Sequence, residues 1–280
     1  MQFLIRHRHF VAGLLAVLTL LSLVAGVWRR GSDDSLEQVR ERGELRIGYA
    51  LEAPYALIRA DGRPGGESPE VAREVAQRLG VRPAWVLTEF DRLIPELEDG
   101  RFDVIAAGLF ITPQRRERVR FSRPTLRVRP GWLRRAGTTA QLGPYREAAS
   151  RPNVRVAVVA GSVEATFFEA KMTDRGALLI VPDARTGREA VASGRSDALA
   201  LSLPTVALMA SQAPDRLVAE PAEGPGATTN LVGLAVRRDD EHLAQSIDEA
   251  LDGYLGSPAH LDLLRPFGLG AADVPESSED

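Results

Sequence analysis

The sequence predicts an α/β protein whose two halves share one plan. Short apolar runs typical of buried strands alternate with segments typical of amphipathic helices, which indicates βαβ units with helices on both faces of a parallel sheet. The order strand, helix, strand, helix, strand occurs over residues 45–107 and again over residues 154–201. A repeated plan predicts two lobes with a ligand between them, because clefts at domain interfaces are common binding sites.

Length and composition exclude several classes of protein and of site. About 245 residues follow the N-terminal segment, enough for two lobes of about 100 to 130 residues each. A net charge of −3 does not favour nucleic acid as a partner. The absence of cysteine excludes disulfides, thiol catalysis, Cys-based zinc sites and a lipid-modified N-terminal cysteine. With only four histidines in the chain, we expect no metal site, and we expect no cofactor.

Residues 1–30 are predicted to form a signal peptide or a membrane anchor. Arg6 and Arg8 precede an uncharged, mostly apolar run of 19 residues from Phe10 to Trp28. Small residues at 24–26 are compatible with cleavage, whereas the same run is long enough to tether the protein uncleaved. Both outcomes place the rest of the chain on the periplasmic or extracellular side of the inner membrane, secreted or anchored.

The first half of the chain has clear start and stop signals. A helix over residues 36–42 ends at Gly43, a second helix begins with Ser68 and Pro69, and a third has Asp91 as its expected N-cap. The predicted elements in order are a helix at 36–42, a strand at 45–49, a helix at 68–79, a strand at 83–88, a helix at 91–99 and a strand at 102–107.

The stretch 101–124 joins that last strand to the start of a helix. After Gly108, Thr112 is the expected N-cap, with Pro113 at the first helical position. Backbone N–H groups and Arg115 therefore converge beyond the carboxyl end of the strand, where open α/β sheets bind ligands. The expected ligand of this site is an anion. The alternative is that Arg115 is a solvated arginine at a helix start.

The second half repeats the pattern after an extended segment at 125–133 and a polar segment with a weak helical pattern at 138–153. The predicted elements are strands at 154–159, 177–181 and 197–201, with helices at 162–171, 185–192 and 204–209. A return strand at 230–236 and helices at 240–255 and 258–264 complete the fold. The acidic residues 271–280 are expected to be disordered.

The stretch around Arg115 also resembles a known family. Residues 100–124, GRFDVIAAGLFITPQRRERVRFSRP, match in type and spacing the GxxD, T-P-E-R and Phe-Ser-x-Pro core of the family 3 solute-binding proteins of ABC importers. The resemblance extends from about residue 36 to residue 275. It implies a type II periplasmic-binding-protein fold, and a monomer that binds a small zwitterionic ligand and delivers it to the membrane permease of an ABC importer.

The resemblance also implies how the lobes are assembled. Lobe 1 is expected to consist of residues 36–128 and 229–270, and lobe 2 of residues 129–228. Two crossover strands, near 125–133 and 226–232, are expected to join the lobes.

If the chain folds in this way, loops of lobe 1 bring Glu52, Tyr55, Phe90, Phe110 and Arg115 to the cleft. Arg115 matches the arginine of the family motif and is expected to form a bidentate pair with a ligand carboxylate. The three rings are expected to attract a delocalised or methylated cation, and Glu52 is expected to accept hydrogen bonds from ligand N–H groups. The alternatives are core aromatic residues and a solvated glutamate.

Two positions depart from the amino-acid binders of the family. Phe110 occupies a position that is commonly Thr or Ser, and Ser202 occupies the position of the aspartate that holds a ligand α-ammonium. With an aromatic residue gained and a counter-ion lost, the pattern resembles the ectoine and hydroxyectoine binders more than the glutamine or arginine binders. Ser162 at a helix start and Asp183 at a strand end complete the expected ligand residues.

Three functions remain open from the sequence. The first is a transport receptor for ectoine, hydroxyectoine or a related compatible solute, or for a conventional polar amino acid. The second is a membrane-anchored sensory or accessory solute-binding domain. The third is an enzyme on the same fold, which we do not expect: a murein-cleaving protein would need a further catalytic domain, and of the acid and base that a dehydratase needs, only Glu52 is expected in the cleft.

Overall fold

The computed structural model describes residues 33–138, 142–222 and 229–276. The predicted signal or anchor segment lies outside these residues. Within the described ranges, none of the helices combines the length and the apolar character needed to cross a membrane.

Strands and helices alternate through most of the described chain. The strands are β1 (Glu44–Tyr49), β2 (Leu57–Ile58), β3 (Pro64–Gly65), β4 (Arg82–Leu87), β5 (Val104–Ile105), β6 (Val119–Phe121), β7 (Leu126–Val128), β8 (Pro130–Arg135), β9 (Val156–Val159), β10 (Leu178–Val181), β11 (Ala198–Ser202), β12 (Leu217–Pro221), β13 (Asn230–Val232) and β14 (Ala235–Arg237). The α-helices are α1 (Ser35–Arg42), α2 (Glu67–Arg78), α3 (Leu93–Glu98), α4 (Pro113–Arg116), α5 (Tyr145–Ser150), α6 (Val163–Lys171), α7 (Ala184–Ala192), α8 (Leu203–Ser211), α9 (Glu241–Leu251) and α10 (Pro258–Leu264). Four 3₁₀ turns complete the description: Phe90–Arg92, Arg175–Ala177, Arg265–Phe267 and Ala271–Asp273.

Lobe 1 is built on a five-stranded sheet in the order β4-β1-β5-β14-β6. β1 pairs in parallel with β4 and β5, and β14 returns antiparallel to β5 and β6. Apolar side chains of α1, α2 and α9 pack on one face of the sheet, and those of α3 pack on the other. The structure therefore confirms the expected layer of helices on each face.

The buried carboxylate of Asp103 ties three elements of lobe 1 together. It accepts hydrogen bonds from the Arg46 backbone and side chain and from Arg42, and Arg237 lies 3.7 Å away. Burial alone would raise the pKa of Asp103, but the hydrogen bonds from Arg46 outweigh it and lower the pKa. The aspartate of the GxxD pattern thus joins α1, β1 and β14 and lies apart from the expected ligand residues.

Lobe 2 repeats the plan with a sheet in the order β10-β9-β11-β8-β12. β9 pairs in parallel with β10 and β11, while β8 is antiparallel to β11 and β12. One hydrophobic cluster, around Trp132 and Phe168, covers one face, and a second, around Leu133 and Leu199, covers the other. The two lobes predicted from the repeated strand order are therefore confirmed.

Two crossover segments join the lobes as a short antiparallel ribbon. β7 pairs with β13, with Val128 opposite Asn230. The predicted strand at 230–236 is divided, because β13 pairs with β7 whereas β14 joins the sheet of lobe 1, so that the chain changes partners at Gly233. The extended segment at 125–133 is divided between β7 and β8 for the same reason.

The weak helical pattern at 138–153 agrees with the structure, which has α5 there. Two further elements differ from the predictions. The predicted helix at 240–255 ends at Leu251. Residues 271–276 are not disordered as expected: they include a 3₁₀ turn, and Val274 packs against the cluster that contains Tyr55 and Phe110. Apolar contact with the crossover ribbon explains this order; residues 277–280 of the predicted tail lie outside the described residues.

Candidate functional site

The expected ligand residues lie at or just beyond strand ends that meet between the lobes. Glu52 and Tyr55 follow β1, Phe90 follows β4, and Phe110 and Arg115 follow β5; Ser162 follows β9, Asp183 follows β10 and Ser202 ends β11. Because the carboxyl ends of parallel strands share one edge of a sheet, each lobe presents its group at a single edge.

A chain of hydrogen bonds runs from lobe 1 into lobe 2 and back. The Tyr55 hydroxyl donates to Ser202 Oγ at 2.9 Å, and the Ser202 hydroxyl donates to Thr205 Oγ1 at 3.0 Å. Thr205 in turn donates to Glu52 Oε1 at 2.9 Å. Since Tyr55 and Glu52 belong to lobe 1 and the two hydroxyl residues to lobe 2, the structure shows the lobes closed on each other at this site.

Arg115 forms a second bridge between the lobes. Its Nη1 donates to Phe110 O at 2.8 Å within lobe 1, and its Nη2 donates to Gly161 O at 3.0 Å in lobe 2. The predicted cap is confirmed, since Thr112 Oγ1 accepts from the Arg115 backbone N–H. A guanidinium has five N–H groups, so these two bonds leave donors for a ligand carboxylate. Arg115 is thus half-buried in the cleft, not a fully solvated surface arginine.

The three aromatic residues lie in two different environments. Tyr55 and Phe110 are buried in one cluster with Leu126 and Val232 of the crossover ribbon. Phe90 is half-buried and packs against clusters of both lobes, with the Arg115 guanidinium carbon 5.7 Å from its ring centroid. Tyr55 and Phe110 therefore pack against the crossover ribbon, and Phe90 packs between the lobes. A cation-binding role for the three rings is a proposal.

Ser162 and Asp183 both cap helices. Ser162 Oγ accepts from the Ala165 N–H at 3.0 Å, and the side chain is buried. Asp183 accepts from the Thr186 N–H at 2.6 Å, and its side chain is 43% exposed. Asp183 lines an open cleft of about 500 Å³ together with Glu52 and Phe90, which places it at the mouth and not within the bonded group.

The sequence interpretation missed Glu164, Tyr145 and Thr205. Glu164 lies in the first turn of α6 and is 3% exposed, whereas a glutamate at such a position is usually a solvated helix-start residue. The Tyr145 hydroxyl lies 2.8 Å from Gly131 O and 2.9 Å from Leu201 O. No local pattern indicates these contacts; the one available signal was the position of Glu164 two residues after the expected ligand residue Ser162.

Two carboxyl groups share the site with one guanidinium. Burial raises the pKa of Glu52 to about 7, and the nearby Glu164 adds to this, while the Thr205 hydrogen bond and Arg115 oppose it. Burial raises the pKa of Glu164 to about 7, while hydrogen bonds within its own turn and the charge of Arg115 act to lower it. Burial lowers the pKa of Arg115 to about 10, opposed by both glutamates. The expectation that only Glu52 offers an acid or base in the cleft is therefore wrong.

These pKa values predict how the ligand-free protein responds to pH. The folded pKa of both glutamates, about 7, lies above the ordinary value of 4.5, so between these values the folded protein binds more protons than the unfolded chain. Their contribution to the free energy of unfolding is full below about pH 4.5 and is lost as the pH rises towards 7. We expect the free energy of unfolding, measured with urea at pH 5, 6 and 7, to fall less with rising pH in Glu164→Gln than in wild type. An equal fall in both proteins would contradict this.

One absence and one volume describe what the site can hold. Across the residues that the structure describes, no group of three or more His, Cys, Asp or Glu side chains is arranged for a metal ion. The cleft volume of about 500 Å³ lies within the range of pockets that bury a small organic ligand. The hydrogen-bonded group between the lobes lies beside this cleft and shares Glu52 with it. Its arginine, carboxylates, hydroxyls and aromatic rings are suited to bind a small molecule with both an anionic and a cationic end.

Comparison with known proteins identifies relatives of the whole chain. The family model of the bacterial extracellular solute-binding proteins, family 3, matches residues 45–258. The probable amino-acid ABC transporter periplasmic-binding protein y4tE of Sinorhizobium fredii is 30% identical over 278 residues, which cover 96% of this chain and 90% of that protein. The membrane-bound lytic murein transglycosylase F of Sodalis glossinidius is 26% identical and covers 91% of this chain, but this chain spans only 58% of that enzyme.

Solved structures show the same two-lobed fold. EhuB in complex with hydroxyectoine superposes with a TM-score of 0.79 at 30% identity, covering 86% of this chain and 94% of EhuB. The ancestral amino acid-binding protein AncCDT-1, described as a precursor of cyclohexadienyl dehydratase, gives a TM-score of 0.71 at 25% identity, covering 83% and 98% of the two chains. Most of these relatives are binding proteins, although enzymes occur among them.

The family match establishes the general role. Solute-binding proteins of ABC importers bind small ligands outside the cytoplasm and work with membrane permeases. The relative from Sinorhizobium fredii is described as a periplasmic-binding protein. The fold predicted from the repeated strand order and from the GxxD and T-P-E-R pattern agrees with both comparisons. The chain belongs to the bacterial extracellular solute-binding proteins of family 3 and has their type II periplasmic-binding-protein fold.

Proposed function

We propose that this protein is the extracytoplasmic receptor of an ABC importer for a small zwitterion of the ectoine type. The observation that supports this most is the pairing of Tyr55 with Ser202 across the cleft. Ser202 stands where amino-acid binders commonly have an aspartate, so the α-ammonium of an ordinary amino acid has no counter-ion there. The likeness to EhuB in complex with hydroxyectoine gives independent support.

In this proposal the ligand is held from both lobes. Arg115 pairs with the ligand carboxylate, and Tyr55, Phe90 and Phe110 surround the cationic ring. Glu52 accepts hydrogen bonds from ligand N–H groups, and Ser162 adds a contact from lobe 2. Closure follows from differential affinity, because the ligand bridges both lobes only when the cleft is closed.

The partner and the location follow from the same role. The closed, loaded receptor would dock on the membrane permease of an ABC importer as a monomer, and it would act on the outer side of the inner membrane. Residues 10–28 would serve either as a cleaved signal segment or as a membrane tether. Mass spectrometry of the N-terminus of the exported protein distinguishes these two outcomes.

A thermal-shift screen tests the proposed ligand class. A ligand that binds only the folded protein, at about 100 times its dissociation constant, adds roughly 2.7 kcal/mol to the free energy of unfolding. We expect Tm to rise with ectoine or hydroxyectoine and to stay unchanged with glutamine or histidine. A rise with ordinary amino acids alone would favour a conventional amino-acid receptor, and no rise with any ligand would favour a sensory or accessory role.

One observation supports a second candidate function. Glu52 and Glu164 are two carboxyl groups with pKa values raised to about 7, a range suited to proton transfer at neutral pH. An acid and a base facing one substrate are what a dehydratase of cyclic acids requires, and AncCDT-1 is described as a precursor of such an enzyme. Incubation with a cyclohexadienyl carboxylic acid, followed by ultraviolet absorbance of an aromatic product, tests this candidate.

A further inference from the structure

Glu67 is a buried carboxyl group at the base of lobe 1 that lies outside the hydrogen-bonded group between the lobes. It is the first residue of α2, and 0% of it is exposed. Burying a carboxyl group is unfavourable unless other interactions compensate for the lost hydration. Among the described residues, Glu67 Oε1 has no hydrogen-bond partner, so the contacts of Oε2 must account for its position.

The start of α2 holds the loop that carries Tyr55. The Glu67 N–H donates to Pro54 O at 3.1 Å. The Ser68 N–H donates to Tyr55 O at 3.0 Å. The preceding residue, Gly66, has φ of +98°, and a Cβ there would lie 2.6 Å from Tyr55 O. Since the first N–H groups of a helix have no partners within the helix, the Tyr55 loop and the start of α2 stabilise each other.

The Glu67 side chain extends this contact to the turn after β5. Ser68 Oγ donates to Glu67 Oε2 at 2.6 Å and accepts from the Gly108 N–H at 3.0 Å. Gly108 has φ of +67°, and a Cβ there would lie 2.5 Å from Cγ of Tyr55. The Gly108 backbone therefore lies directly against the Tyr55 ring. One chain of hydrogen bonds thus joins the loop of Tyr55 to the turn that leads to Arg115.

We propose that Glu67 is a positioning residue of the cleft, which acts through Ser68 to fix the Tyr55 loop. This rests on the receptor function proposed above and applies to any ligand that the closed cleft holds. The Tyr55 hydroxyl lies 2.9 Å from Ser202 Oγ of lobe 2, and a displacement of about 1 Å would break that hydrogen bond. The position of the Tyr55 loop therefore decides whether the two lobes are joined at this point.

The role of Glu67 is to give the Ser68 hydroxyl an acceptor. A buried donor without an acceptor is unfavourable, so without Glu67 the hydroxyl would turn to another acceptor and release the Gly108 N–H. Burial raises the pKa of Glu67, whereas the Ser68 and Thr125 side chains act to lower it. The protein thus favours the neutral, protonated form more than water does, and glutamine is the closest substitute for that form.

Hydrogen exchange of the ligand-free full chain, followed by mass spectrometry, tests the inference with three variants. Glu67→Met keeps the length of the side chain and removes the acceptor, whereas Glu67→Gln keeps an acceptor. Val75→Ala is the matched control, because it removes buried carbon atoms from the same helix in the main cluster of lobe 1.

Two segments report on the chain of hydrogen bonds. Residues 106–110 contain the Gly108 N–H, and residues 202–206 of lobe 2 contain the Thr205 N–H, which donates to Ser202 Oγ. We expect both segments to exchange about tenfold faster in Glu67→Met than in wild type. Both should exchange as in wild type in Glu67→Gln and Val75→Ala. A residue that only stabilises lobe 1 would not change exchange in lobe 2.

Titration calorimetry with ectoine and L-arginine as probes measures the effect on binding. We expect Glu67→Met to weaken the affinity for the probe that wild type binds about tenfold. Glu67→Gln should bind that probe as wild type does. Val75→Ala should lower Tm and leave the affinity unchanged.

Four results would overturn the inference, and a fifth concerns only the function on which it rests. The first is wild-type exchange at 106–110 in Glu67→Met. The second is faster exchange there with wild-type exchange at 202–206 and wild-type affinity, which would confine Glu67 to the stability of lobe 1. The third is an equal change in Val75→Ala, and the fourth is a Glu67→Gln protein that behaves like Glu67→Met. If wild type binds neither probe, the proposed ligand class fails, while exchange in the ligand-free protein still decides the role of Glu67.

Discussion

Arg115→Ala is expected to lower the affinity for the ligand by roughly 2–5 kcal/mol, which is the usual cost of truncating one partner of a buried, hydrogen-bonded charge pair. The reason is geometric as well as electrostatic. The guanidinium already bonds to Phe110 O and Gly161 O, which fixes its plane, and its remaining N–H groups can meet both oxygens of a carboxylate. Titration calorimetry with the ligand found in the thermal-shift screen measures the loss.

Two further variants make this result interpretable. Arg116→Ala removes the same charge from the neighbouring exposed position and should leave affinity unchanged. Arg115→Lys keeps the charge but not the planar fork of donors, so its affinity should lie between those of wild type and Arg115→Ala. An Arg115→Ala protein that folds normally and binds as tightly as wild type would contradict the assignment of Arg115 to the ligand carboxylate.

The fold was predictable because its determinants are local. Each determinant acts over a few residues: the apolar runs of strand length, the cap formed by Thr112 with Pro113, and the glycines that end helices. The repeated order of these elements then indicates two lobes. The point at which the chain leaves the ribbon for the sheet of lobe 1, near Gly233, was not predictable. It depends on which strands β13 and β14 pair with, and those strands lie more than 100 residues away in the sequence.

The site was predictable only where a residue stands at a strand end or in the family pattern. Glu52, Tyr55 and Arg115 are such residues, and the structure joins each of them to lobe 2 by a hydrogen bond. The position of Ser202 was expected, but its bond to Tyr55 was not. Whether a side chain is buried or solvated is a tertiary property, because it depends on what another part of the chain places above it.

Glu164 illustrates this limit. Its neighbours in sequence predict a solvated glutamate at a helix start, whereas the structure buries it, and that burial raises its pKa to about 7. The charged residues Glu52 and Arg115 hydrogen-bond to lobe 2, so their environment depends on how closely the two lobes approach. A variant that prevents closure without touching a charged residue would therefore test whether the site is completed by closure.

Gly161→Ala is expected to be that variant. Gly161 has φ of +74°, and a Cβ built there would lie 2.8 Å from Cα of Asp91 in the other lobe. Backbone on the facing lobe cannot move aside as a flexible side chain can, so the added methyl group should hold the lobes apart. If it reduces the closed fraction to about one in a hundred, the apparent affinity for the ligand falls about 100-fold.

Gly194→Ala is the matched control for this last experiment. Gly194 has φ of +78°, so alanine is strained there in the same way, but its Cβ would meet only the Arg135 side chain at 3.6 Å, an ordinary contact. Small-angle X-ray scattering should show ligand-induced compaction in wild type and in Gly194→Ala, and little or none in Gly161→Ala. Equal losses of affinity in both variants would mean that backbone strain within lobe 2, and not the contact between Gly161 and Asp91, limits binding. Loss of affinity and compaction in Gly161→Ala alone would show that Arg115 and Glu52 act together only after the lobes meet.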